Sequence, residues 1–556
     1  MRLALRSWIA LSALTLLSCD SKGAPEVGDH VRSNAQARVS SLEQVVDDIR
    51  DLYNAPGVSV GIARRDSVEA GGFGLRQWNR DVGVDAHTSF PIYSVTKVYL
   101  GLAIARLADA GRLSFDDRVT KWIPNFSVAD KSVVERATVR HLLAHSIGVE
   151  SADFWLENVP GVTLDEVIAR IANQPQAKAF GAFYYSDTET NLLAKVIEEA
   201  SGMSWGAAVK TWVLEPMDLE NTYMQAHEFA KPGSIVPTGD GWGTEGTQVG
   251  MDAVAGARNI APPQAVWPDG TERLVRDERE RGPNVLPFQS SPIDPAQSAY
   301  SSAHDMAKLA QMLLNEGVHE GDVFVSKAAF FNLIKPVIEF SERPAGGTSE
   351  RLRWRTASAG PFLLYDVHGQ DCFGHTGGSL GAEADLLVCP GLGIGTYVGT
   401  TGSLYIGGAG SALVDHIFSK YLGRDDDAID AAKKRLRDTV ESYAEYQREF
   451  DLRLAEIRTD GAPMEKLESY IGRYEDGFAG TLNVVMADEG ALVASLGPGA
   501  IWDLTPLADD TFLATWKGPR RSRTLHRFSR GSGETINAVT LPPYGGGVTV
   551  TLRRIQ

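Results

Sequence analysis

The sequence is short of positive charge. Lysine and arginine number 54 against 71 acidic residues, a formal net charge of -17 at pH 7, and no basic cluster marks a nucleic-acid face. DNA and RNA are therefore not expected as partners. No apolar run is long enough to span a membrane: the longest, Trp8 to Leu17, falls short of the ~20 residues that a helix needs. Internal repeats and low-complexity tracts are missing, which excludes a solenoid or a fibrous chain. Cysteine is scarce, with three in 556 residues, so a disulfide-dense scaffold is excluded. What remains is an ordinary globular composition, 43% hydrophobic and 22% charged, in a chain longer than one average domain. Two domains with connecting pieces are expected.

The first residues read as an export signal, with Arg2 and Arg6 ahead of the apolar run. The run ends in Leu16-Leu17-Ser18-Cys19, which resembles the lipobox of bacterial lipoproteins. That resemblance implies a signal peptide over 1–18, lipidation of Cys19, a tether over 19–40 and a membrane anchor on the periplasmic side. The two remaining thiols, Cys372 and Cys389, lie nearly symmetrically about a turn near Ser379 to Ala382. They can face each other across a hairpin as a disulfide or stay as two buried free thiols.

The stretch that organises the chain is Ser94-Val95-Thr96-Lys97, followed by an apolar helical run from Val98 to Leu113. On a helix, positions i and i+3 share a face, so the lysine amine can turn back on the serine hydroxyl. Such a lysine serves as a base only if its pKa, ordinarily about 10.4, is lowered, and burial against Tyr93, Tyr99 and Leu100 would lower it. Tyr185 stands in a loop just before a helix from Thr188 to Gly202, where its phenol can project into a cleft. His141 and His145, four apart on one helix face, have metal-ligand spacing; Leu142 stands where a zinc protease has glutamate, so a packing role is expected for both. Ser59 and Ser379 sit in Gly-x-Ser-x-Gly patterns that no helix follows, which excludes them as elbow nucleophiles.

Periodicity places helices at Ser41 to Tyr53, Thr163 to Asn173, Ser301 to Leu314 and Ala409 to Leu422. Strands are expected at Val58 to Ala63, Val68 to Phe73, Phe362 to Val367, Asp371 to His375, Ala384 to Cys389 and Gly393 to Thr400. Periodicity fails from Ala226 to Pro295, a length that suggests a wall or lid over a site. A charged helix from Asp425 to Ile457 reads as a strut. Beyond it, six short alternating strands between Tyr470 and Arg553 read as a small all-β barrel or sandwich.

Three elements stand in order: Ser94-Val95-Thr96-Lys97, Tyr185-Ser186-Asp187 and His375-Thr376-Gly377-Gly378. Together they resemble the signatures of the serine β-lactamase and penicillin-binding family, in the branch of class C β-lactamases, D-aminopeptidases and esterases. The resemblance implies an α/β (α+β) fold over 41–422, an antiparallel sheet flanked by helices with an all-helical subdomain. A helical linker over 423–462 and a lipocalin-like β-barrel over 463–556 would complete the chain. It further implies Ser94 as nucleophile, Lys97 as its proton partner and Tyr185 as proton shuttle, with Asp187, His375, Thr376 and Gly377 contacting substrate. The backbone amides of Ser94 and Gly378 would form the oxyanion hole. No metal or organic cofactor is implied.

One departure bears on substrate. The second signature usually ends in asparagine, and Asp187, when ionised, only accepts hydrogen bonds. Asp187 can also pair with Lys97 and hold it charged. With His375 offering a weaker fixed charge than lysine, esters or other amides are favoured over β-lactams. The expected function is an exported serine hydrolase acting on a small ester, amide or peptide. The alternatives are a β-lactamase, D,D-peptidase or D-aminopeptidase working on cell-wall peptides, and a slowly deacylating penicillin-binding sensor lipoprotein. Oligomeric state is left open.

Overall fold

The computed structural model describes residues 43–555, apart from 78–79, 152–162, 226–227, 229–258, 262–263, 266–283, 286–293, 340–351, 368, 380, 403–407, 423–427, 461–465, 488–489, 497–499, 518–522, 533–534 and 543–548. The export signal, Cys19 and the tether lie outside the described residues, as does most of Ala226 to Pro295.

A helix over 43–53 (α1) leads into two strands, β1 (Gly57–Arg64) and β2 (Val68–Gly74). The rest of the main sheet comes from late in the chain: β3 (Ile338–Glu339), β4 (Leu352–Ala359), β5 (Phe362–Val367), β6 (Gln370–Ser379), β7 (Ala382–Cys389) and β8 (Ile394–Thr401). The spatial order is β2-β1-β8-β7-β6-β5-β4-β3, antiparallel throughout. The chain therefore closes its sheet by pairing its first strand with its last. β1, β7 and β8 are buried along nearly their whole length, as expected for central strands covered on both faces.

Between the two halves of the sheet the chain builds a helical layer. It includes α2 (Thr96–Asp109), α3 (Val139–Leu143), α4 (Leu164–Ile171), α5 (Asp187–Ser201) and α6 (Ala303–Leu314). α2 is buried almost all round, from Thr96 to Leu107, because it runs through the core instead of along its surface. Gly101 lets it pass Pro361 at a distance that no side chain would tolerate. The helix α7 (Ala409–Tyr421) covers the other side of β7 and β8, and α8 (Ala428–Asp460) follows as the long charged strut.

Eight strands from Gly472–Asp476 to Val550–Ile555 close into an antiparallel barrel. Its interior is filled by Tyr470, Tyr474, Phe512 and Phe528, whose rings meet edge to face at 4.9–5.6 Å. Two barrel strands absent from the sequence reading, Ile501–Pro506 and Ile536–Leu541, complete the closure. The hairpin after the first barrel strand touches the end of α4, where Asn173 Nδ2 donates to the carbonyl of Gly477 at 3.3 Å. Arg523 of the barrel meets Asp451 and Gln447 of α8, each at 2.8 Å.

Cys372 and Cys389 form a disulfide between β6 and β7, with Cα atoms 4.3 Å apart.

Candidate active site

Ser94 lies in a single 3-10 turn, Tyr93–Val95, that runs directly into α2. Tyr93 sits at φ 42°, in the left-handed region that costs a non-glycine residue ~1–3 kcal/mol. The turn is held from both sides. Ile92 N donates to Ala299 O at 2.9 Å, and Thr96 Oγ1 donates to Tyr93 O at 2.5 Å. Across the cleft, Gly377 presses against Ile92 O and the Ser94 amide so closely that a Cβ there would collide with both. Glycine at 377 is what allows β6 to reach the serine.

Lys97, one turn along, is buried, and its Nζ is 3.0 Å from Ser94 Oγ and 3.0 Å from the carbonyl of Ala296. The third neighbour is Asp187 Oδ1 at 2.6 Å. At that distance the two form an ion pair. The three near neighbours of the ammonium are thus all acceptors, and Ser94 Oγ accepts from Lys97. Burial alone would depress the lysine pKa, but the Asp187 carboxylate and the Tyr185 oxygen more than offset it, and the balance is upward. Of the two expectations for Lys97, lowering by burial and pairing with Asp187, the second prevails: an ionised partner at 2.6 Å keeps it an ammonium.

Tyr185 precedes α5 and lies beside Lys97, whose Nζ is 4.9 Å from the ring centre. Its hydroxyl is buried without an in-line hydrogen bond, yet Ser94 and Lys97 are both near enough to act on it. Burial pushes the phenol up to about 12, against the pull of Lys97, so it is neutral at rest.

The first turn of α5 ties these parts together. Asp187 faces Lys97, and Glu189, fully buried, accepts from the amides of Ser146 at 3.1 Å and Ile147 at 3.5 Å. Burial pushes Glu189 well above the usual carboxylate range despite those amides. The amide of Ser186, which caps the helix, donates to His145 Nδ1 at 3.3 Å, and the His145 ring stacks on Tyr185 at 4.6 Å.

His375 lies on β6, buried, with its ring 6.1 Å from that of Tyr185. Burial and the Lys97 charge push its pKa down to about 3. The expected weak positive charge is therefore corrected: His375 is neutral.

β6 pairs with β5 only from Gln370 to Gly374, whereas its pairing with β7 runs on from Phe373 to Ser379. From His375 onward β6 offers an open edge. The direction of its amides follows from the disulfide. A Cα separation of 4.3 Å marks Cys372 and Cys389 as a non-hydrogen-bonded pair, and such pairs alternate along an antiparallel ladder. Gly374, Thr376 and Gly378 share that class, so the Gly378 amide points away from β7 to the open edge.

The sequence model of the family described as Beta-lactamase matches residues 42–409. The chain belongs to that β-lactamase family. Penicillin-binding protein 4 of Amycolatopsis lactamdurans is 24% identical over 382 residues, 68% of this chain and 87% of that protein. Esterase EstB of Burkholderia gladioli is 29% identical over 209 residues, 34% of this chain and 52% of that one. Among solved structures, the octameric penicillin-binding protein homologue from Pyrococcus abyssi aligns with a TM-score of 0.54 at 21% identity, covering 93% of this chain and all, 100%, of the other. The D-amino acid amidase of Ochrobactrum anthropi SV3 gives 0.51 at 15% identity, over 72% and 99%. At these identities the structural likeness establishes the fold.

In this β-lactamase-family domain the structure brings Ser94, Lys97, Tyr185, Asp187, His375 and Gly377 into one cleft. Thr376 and Gly378 lie on the same open strand. Ser59, fully buried on β1, is remote from them in the sheet order. His141 does pack as expected, capping its own helix through Thr138 and tilting against Phe180 at 4.7 Å. His145 is buried as expected, and it packs against Tyr185. It is a site residue that helical spacing put on the same face as His141; its φ of 52° turns it out of α3 and onto Tyr185. Ala296, just beyond the Ala226 to Pro295 segment, also reaches the site through its carbonyl.

Proposed function

We propose that the protein is a serine hydrolase that cleaves an ester or amide bond through an acyl-enzyme on Ser94. The observation that carries this is the 3.0 Å contact of Lys97 Nζ with Ser94 Oγ, with the neutral phenol of Tyr185 beside it. Because Lys97 is already protonated and paired, it acts as a fixed charge, and Tyr185 relays the proton. Ser94 Oγ bonds the carbonyl carbon as its proton passes to Tyr185 Oη, while the phenol's own proton goes to the leaving group. Water enters and reverses the relay. The Ser94 and Gly378 amides hold the developing oxyanion, an effect worth ~100-fold to 1000-fold in rate.

A second reading, a D,D-peptidase or D-aminopeptidase acting on cell-wall peptides, is supported by the likeness to a penicillin-binding protein across 87% of its length. Against a terminal carboxylate stands the electrostatics of the cleft, where Lys97 is neutralised by Asp187 and His375 is uncharged. Export with lipidation at Cys19 is part of the proposal. It is supported by the N-terminal pattern and by the Cys372–Cys389 disulfide, a bond at home in an oxidising compartment.

A fluorophosphonate probe tests the nucleophile: wild type labels and Ser94→Ala does not, and equal labelling would end the proposal. Turnover is read with a p-nitrophenyl ester, because the phosphonyl adduct itself does not hydrolyse: many turnovers over minutes mark an enzyme, and one burst with a persistent acyl group marks a sensor. Membrane fractionation of Cys19→Ala tests the anchor.

A further inference from the structure

Two neutral imidazoles flank Tyr185, and their hydrogen-bond partners fix opposite tautomers. A backbone N–H can only donate, so the Ser186 amide at 3.3 Å requires a bare lone pair on His145 Nδ1. The ring, kept neutral by burial and by the nearby Lys97 and His375, then carries its proton on Nε2. A carbonyl can only accept, so Thr376 O at 2.6 Å requires a proton on His375 Nδ1. That ring is neutral too, which leaves Nε2 as a lone pair. One imidazole offers a donor and the other an acceptor, with ring centres 4.6 and 6.1 Å from that of Tyr185.

Tyr185 delivers the proton to the leaving group, which therefore comes close to the two rings that neighbour Tyr185. We propose that His145 Nε2–H and His375 Nε2 together bind a neutral donor–acceptor group on the leaving-group side of the substrate, a carboxamide and not a carboxylate. A carboxamide oxygen accepts from His145 while its N–H donates to His375. A carboxylate has no donor for His375 and would set its charge against that lone pair, with the Lys97 cation already neutralised by Asp187. His145 also supplies the neutral N–H donor that Asp187 cannot give. The inference rests on Ser94 being the nucleophile.

The test is a matched pair of phenylacetylglycine esters, one of 3-hydroxybenzamide and one of 3-hydroxybenzoate, which differ only in carboxamide against carboxylate. Wild type is expected to favour the carboxamide ester about tenfold in kcat/KM, the scale of one or two net hydrogen bonds. His375→Lys should reverse that preference. His145→Phe keeps an aromatic ring against Tyr185 and tests the pair if the buried lysine blocks folding. It should lose about tenfold on the carboxamide ester through KM, with little change on the carboxylate ester, and His145→Gln should recover part of the loss. Equal losses on both esters would reduce His145 to a packing role and overturn the pairing. A wild-type preference for the carboxylate ester, abolished by Ser94→Ala, would overturn the pairing and leave the hydrolase reading intact. Unchanged turnover of both esters by Ser94→Ala would remove the nucleophile and the pairing together.

Discussion

The two faces of the β6–β7 hairpin bury ionisable groups in different proportions. On the cleft face one lysine meets one aspartate: Lys97 and Asp187, 2.6 Å apart, both nearly inaccessible. On the rear face, among the described residues, Asp415, Glu383 and Asp385 lie near Arg435. Arg435 of α8 reaches Asp415 at 3.4 Å, Glu383 accepts from the Gly408 amide at 3.0 Å, and Asp385 accepts from Ser411 Oγ at 3.4 Å. Burial and the neighbouring Glu383 push Asp385 up to about 7. The lesson is one of contact. Where a buried acid touches a base, the ion pair holds; where it meets only amides or a hydroxyl, as Glu189 and Asp385 do, burial pushes it up.

Breaking the balanced face should have the largest effect. Asp187→Ala leaves a buried ammonium unpaired and is expected to cost ~3–5 kcal/mol in urea unfolding. The double variant Lys97→Met, Asp187→Leu should regain most of that stability without regaining activity. If the single and double variants unfold alike, the pair is not what holds the cleft. The staple between the two strands of the β6–β7 hairpin comes next. Removing the Cys372–Cys389 disulfide, whose ends are 17 residues apart, should cost about 3 kcal/mol, read as the difference between oxidised and reduced protein.

The unbalanced face gives the smallest effect, with a definite sign. A carboxyl raised to about 7 binds its proton more tightly in the native state than in the unfolded chain, where it titrates near 3.8. Stability from this group therefore falls as pH rises from about 4 to about 7. Asp385→Asn should remove that slope and stabilise the protein at pH 8, with little gain at pH 4. Parallel pH–stability curves for wild type and variant would show that Asp385 is not the titrating acid.

Much of the cleft was legible because its chemistry is written in short motifs. Ser94 to Lys97 is a local pattern that a helical turn converts into a 3.0 Å contact. Tyr185 and His375 follow from the same ordered set. What could not be read was the sign of competing effects at one atom. Burial and Asp187 pull Lys97 in opposite directions, and only the 2.6 Å separation shows which prevails. His145 was hidden because spacing assigns it to a helix face, whereas a positive φ takes it out of the helix. Strand β4 was invisible for another reason: Leu352-Arg353-Trp354-Arg355 is rich in charge, and a register shift between Trp354 and Ser358 breaks the alternation. Glu383 was left out of β7 because an acid seldom begins a buried strand; the Gly408 amide that satisfies it comes from distant sequence.

The contact between the barrel and α4 bears on how the enzyme can be shortened. Asn173 holds the barrel hairpin at Gly477, and its neighbour Gln174, fully buried, donates to Thr188 Oγ1 at 3.2 Å, one residue beyond Asp187. Cutting the chain after the β-lactamase-family domain would strip the support from that corner, so the shortened chain is a different molecule at Asp187 and not a minimal one.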